Sequence, residues 1–152
     1  MLDSIWQLSY DSALIDIMRN SKYAIPLIQS VHLFGITLLL ASAVAFSLRS
    51  LGWGLTQIPA SEVAAESWRW SRIGLAAAAC SGILVFIPDP ARYAANNAFQ
   101  VKMLLLSVAA TLQFTWYRRT IRSGKAGTGV ALLSLSLWFA VGWAGRAIAF
   151  LG

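Results

Sequence analysis

Three ionisable side chains, His32, Lys102 and Arg146, stand inside long apolar runs of this sequence. A charge or an imidazole within such a run is costly, so it marks a ligand, proton or ion site. The three belong to different runs, yet each lies near the same end of the layer those runs would form. His32 sits about seven residues, roughly 10 Å at a rise of 1.5 Å per residue, from the end of the first run. Arg146 is about five residues and Lys102 about three residues from the matching ends of theirs. Gln29, one helical turn before His32, and Asp89, at the close of another run, share that depth.

A neutral imidazole is a ligand for haem iron or another transition metal. Cations at the same depth would neutralise haem propionates through charge-assisted hydrogen bonds. His32 is accordingly the candidate axial ligand and the candidate metal-binding residue. Lys102 and Arg146 are the candidate propionate partners, with Gln29 beside them and Met103 as a second soft ligand. Haem b is the cofactor such a set would hold, and a redox-accessory role is the function it would serve. A copper site from His32, Met103 and Cys80 draws on the same residues.

Each residue also has a plainer reading. His32 can hydrogen-bond to Gln29 or to a backbone carbonyl, while Arg146 and Lys102 can snorkel to the interface. Met103 can simply pack. With His32 the one histidine in the chain, a bis-histidine haem would have to be shared by two chains. No glycine-rich phosphate loop, Cys-x-x-Cys pair, His-Glu-x-x-His or serine elbow is present, so no complete catalytic set is visible. The alternative class is a non-catalytic membrane subunit that packs against larger partners or binds lipid or quinone.

The elements that would position these residues follow from composition. Of 152 residues, 58% are hydrophobic and 12% charged, and the mean hydropathy is +0.65. Soluble domains carry about 25% charged residues. Apolar runs of about 20 residues cross a hydrocarbon core ~30 Å thick. Four such spans are expected, at about 25–48, 71–87, 99–117 and 129–151, in a single domain covering 1–152. The expected fold is therefore all-α, a four-transmembrane-helix bundle in the lipid bilayer. Residues 1–20 alternate apolar and acidic positions at helical spacing and read as an amphipathic interfacial helix. A short interfacial helix is expected from Pro59 to Trp68-Arg69-Trp70. The three aspartates at 3, 11 and 16 do not suit a cleavable signal peptide.

The net charge of +6 does not mark a nucleic-acid binder, because the basic residues sit in connections between apolar runs. The first and third connections hold Arg49, Arg69, Arg72, Arg118, Arg119, Arg122 and Lys125, against Arg19, Lys22, Arg92 and Lys102 on the other side. That asymmetry predicts a bacterial inner-membrane protein with both termini periplasmic. Small residues at four-residue spacing (Gly74, Ala78 and Gly82; Gly145 and Ala149) predict close helix packing. A homo-oligomer or a larger membrane complex is the expected assembly.

Pro26, Gln29, His32 and Gly35, then Leu48-Arg49 and Gly52, Gly82 through Phe86 with Asp89, Phe99 and Lys102, and Gly145-Arg146 form a set spread over nearly the whole chain. In this set the sequence resembles an uncharacterised family of small bacterial four-helix membrane proteins. The resemblance implies the four-span topology and no particular activity. More remotely, a histidine in the first span of a small bundle is similar to copper-resistance and cytochrome b type membrane domains.

Overall fold

The computed structural model describes residues 20–87 and 95–151. The expected interfacial helix over 1–20 and Asp89 fall outside the described residues, apart from helical Asn20. Four long helices carry the described chain: α1 (Ala24–Leu51), α2 (Ala60–Phe86), α3 (Asn97–Ser123) and α4 (Thr128–Leu151). Each packs against its chain neighbour, and α4 returns to α1, which closes the order. The fold class is all-α. Three of the helices are long and apolar enough to cross a membrane: Ala24–Leu51, Asn97–Ser123 and Thr128–Ala147.

Local chemistry sets the helix ends. At the start of α1, the Ser21 hydroxyl accepts from the backbone N–H of Ala24 at 3.2 Å. Pro26 falls in the first turn, where its missing N–H costs nothing. Gly52 ends the helix at φ 77°, and its N–H reaches the carbonyl of Arg49. That left-handed conformation is cheap only without a Cβ. Gly124 ends α3 in the same way at φ 68°. Asn96 opens α3, its side-chain oxygen accepting from the N–H of Ala98 at 2.8 Å.

Helix α2 corrects one expectation. The chain runs as unbroken helix through Trp68-Arg69-Trp70, where a break between an interfacial helix and a span was expected. Between Ala60 and Ile73 there is no proline or glycine to stop it. The arginines do not end the helix. Helix α3 likewise continues through Arg118, Arg119 and Arg122, because arginine is a good helix former.

The packing is inverted relative to a water-soluble protein. Leu33, Phe34, Leu104, Phe139 and Trp143 are more than 60% exposed, as the 64% of Leu33 and the 73% of Phe139 illustrate. The buried set includes Ser42, Ser47, Ser67, Ser71, Ser81, Gln113, Thr120 and Ser134. Large apolar side chains lining the outside, with serines, a glutamine and a threonine among the buried residues, suit lipid as the surrounding solvent. This protein is a membrane protein.

Two apolar clusters fill the interior, one around Phe46, Trp116 and Tyr117, the other around Leu39, Ala109 and Trp138. Hydrogen bonds between helices link the neighbourhood of these clusters. The Ser134 hydroxyl and the Trp138 indole N–H, the latter at 3.2 Å, both donate to the Gln113 side-chain oxygen. Ser71 and Tyr117 exchange a hydroxyl hydrogen bond at 3.0 Å between α2 and α3.

The Gln113 bonds make a testable case. Gln113→Leu removes the acceptor and leaves two buried donors unmet. The expected loss is about 1–3 kcal/mol of stability. Thermal unfolding in detergent measures it, and a midpoint equal to wild type would remove Gln113 from the set of interior fasteners.

Candidate functional site

The polar layer forms where α1 and α2 come closest. A Cβ built on Gly35 would stand 2.6 Å from the backbone nitrogen of Ala78 and 2.9 Å from the carbonyl oxygen of Gly74. One on Gly74 would stand 2.6 Å from the nitrogen of Leu39. The two backbones therefore touch, and only hydrogen fits between them. One turn towards the N-terminus of α1, this contact delivers His32 to the carbonyl groups of α2.

His32 turns away from Gln29 and into α2. Its Nδ1 lies 2.9 Å from the Ala78 carbonyl oxygen and 3.1 Å from the Ser81 hydroxyl. A carbonyl can only accept, so Nδ1 carries the proton. The Ser81 hydroxyl donates to the Ala77 carbonyl, which leaves its oxygen to accept from the ring as well. In the neutral imidazole Nε2 then holds a free lone pair. Gly82 lies against the ring edge, where a Cβ would meet Cε1 at 3.1 Å. Ala78, Ser81 and Gly82 thus fix the ring's tautomer and its plane. Outer partners of this kind orient metal-ligating histidines in proteins.

Lys102 enters the same layer from α3. Its ammonium lies within electrostatic reach of the His32 ring. The end of its side chain lies along α4 at Gly145, where a Cβ would be 3.7 Å from Nζ. All four helices thus contribute to one level: His32 from α1, Ser81 and Gly82 from α2, Lys102 from α3 and Gly145 from α4.

The other expected residues are placed less centrally. Gln29 is exposed and, among the described residues, makes no bond to the ring. Arg146 follows Gly145 and is exposed, with an interaction of its own. Met103 is 43% exposed and Cys80 is exposed. Among the described residues no group of three His, Cys, Asp or Glu side chains could hold a metal ion. Ser81 was missed because a serine in an apolar run reads as a neutral packer. The one signal was its place, next to Gly82 and one turn beyond Ala78 on the stripe of small residues.

A model of a protein family, described as a family of unknown function (DUF6644), matches residues 13–151. No curated protein matches the chain, and no solved structure does. The remote likeness to copper-resistance and cytochrome b domains therefore gains no support.

Proposed function

The chain belongs to the DUF6644 family, and we propose that it is a four-span inner-membrane protein holding haem b on His32 in a redox-accessory role. The observation that carries this reading is the His32 ring, held through Nδ1 by the Ala78 carbonyl so that Nε2 can donate its lone pair. Lys102 supplies a positive charge in the same layer, suited to a propionate. Arg146, one residue beyond Gly145, supplies another. Haem bound there would supply one-electron transfer, its potential set by the axial ligand and by the charges around it. With Met103 exposed, a second protein ligand from this chain has no support, so bis-histidine ligation would require a second copy. Haem content of the detergent-purified protein by pyridine haemochrome tests the reading. Haem in proportion to protein is expected, and a haem-free preparation from haem-replete cells overturns it.

Helix α2 counts as the fourth span in this reading. Its 27 residues extend about 40 Å, enough to cross, and it packs along α1. Both termini are then periplasmic, with the α1–α2 and α3–α4 connections in the cytoplasm beside their basic residues. A reporter fused at Gly124 is expected to read cytoplasmic, and one fused at the C-terminus periplasmic. The reverse pattern contradicts the orientation.

A second reading is a non-catalytic subunit that packs against a larger membrane partner. It is favoured by an apolar groove of about 700 Å³ between α3 and α4, lined by Val101, Leu105, Phe139 and Trp143 among others.

A further inference from the structure

The basic end of α2 carries a second, differently built surface. Arg72 approaches the Trp68 ring at 6.0 Å, and Arg118 approaches the same ring at 5.0 Å from α3. Arg69 stands over Trp70 at 5.8 Å. Two guanidinium groups around one indole bring like charges together at an edge of the apolar helix surface. Cation–π contacts orient them without neutralising them. Below them, a groove of about 630 Å³ runs down α2, with Trp68, Arg69 and Arg72 at its head and Ile73, Ala76 and Ala79 along its floor. These floor residues follow at three-residue spacing, so they line one face of the helix. All three are exposed.

The depth of these arginines adds a separate constraint. Beyond Arg72 the uncharged part of α2, 73–86, covers only about 21 Å at 1.5 Å per residue. With α2 taken as the fourth span, the reading on which this step rests, a hydrocarbon core ~30 Å thick draws Arg72 and Arg69 down to the level of lipid phosphates and ester groups. An arginine held there is matched by a phosphate, which its planar fork grips at two points.

We propose that the groove headed by Arg69, Arg72 and Trp68 is a binding site for one anionic phospholipid. The phosphate sits among the guanidinium groups, and one acyl chain lies along Ile73, Ala76 and Ala79. Charge complementarity at the head and an apolar floor running in the direction of the bilayer select a lipid over a soluble anion. The site stands apart from His32 and does not depend on what that residue holds.

Native mass spectrometry of the delipidated full-length protein tests this with dioleoyl phosphatidylglycerol and dioleoyl phosphatidylcholine. Phosphatidylglycerol is expected to be retained in preference, as one molecule per chain. A double Arg69→Gln, Arg72→Gln variant should lose that preference by about tenfold to thirtyfold, the conversion of about 1 kcal/mol of surface attraction per basic residue. Ala76→Phe, which fills the floor and leaves the charge intact, should weaken retention of the lipid too. The double variant Arg119→Gln, Arg122→Gln, outside the groove, should retain it as wild type does. Inorganic phosphate at the same concentration should not compete. Equal retention of the two lipids overturns the proposal. So does equal loss in the two arginine double variants, which signals a diffuse basic belt, and so does displacement by phosphate alone. Circular dichroism of each variant separates loss of binding from loss of fold. If the groove variants do not fold, the wild-type comparison of the two lipids and of phosphate still decides.

Discussion

Gly35→Ala is expected to lose more stability than an alanine placed at any described glycine other than Gly74. The added Cβ would meet backbone atoms of α2, Ala78 nitrogen at 2.6 Å and Gly74 oxygen at 2.9 Å, and not a side chain that can swing aside. The helices must separate, and the separation propagates along the whole α1–α2 contact. Overpacking a tight interior costs about 1–3 kcal/mol, and a backbone-to-backbone clash belongs at the upper end of that range. Gly74→Ala should behave alike, because its Cβ would meet Leu39 nitrogen and the Gly35 carbonyl. Gly142→Ala is the control. Among the described residues nothing lies within 4 Å of its Cβ position, so the substitution should be neutral, or stabilising by about 0.5–1 kcal/mol through helix propensity. Thermal unfolding in detergent compares the three. A Gly35→Ala midpoint equal to that of Gly142→Ala would contradict the close crossing. The crossing also positions the site. Moving α2 away from α1 takes the Ala78 carbonyl and the Ser81 hydroxyl from His32, so the Gly35 variant should lose ligand as well as stability.

Three span-length apolar helices were legible because lipid-facing residues must be apolar over a fixed length, and length plus hydropathy reads directly from residues such as 25–48. The shared depth of His32 and Lys102 was legible for a related reason. Ionisable groups in apolar runs are rare enough to be compared by counting residues. Other features left no comparable trace. The continuity of α2 through Trp68-Arg69-Trp70 was hidden because charge reports where water begins, whereas helix ends are reported by proline, glycine and caps. Gln113 lay unnoticed in the middle of α3 because it carries no charge, although an amide buried between Ser134 and Trp138 ties α3 to α4. The partner of His32 could not be read from α1 alone. Gln29, one turn away, was the natural local choice, but a side chain on the same helix competes poorly with a carbonyl brought within 2.9 Å by a glycine crossing. That carbonyl belongs to Ala78, forty-six residues away, and only the register between helices brings it there.

Lys102 and His32 have separable roles in the proposed site. Lys102→Gln should leave the ligand in place but hold it less tightly, by about 1–3 kcal/mol for a lost hydrogen bond to a charged group. His32→Ala should abolish ligation outright. The bundle should survive the change, since the lost ring bonds to Ala78 and Ser81 are worth about 0.5–1.5 kcal/mol each.

The visible absorption spectrum of the protein purified from haem-replete cells, taken beside that of His32→Ala, tests the central claim most directly. Haem ligation through Nε2 predicts a Soret band in the wild type and none in the variant, with both proteins equally helical by circular dichroism. A colourless wild type, or a Soret band that persists unchanged in His32→Ala, would contradict it.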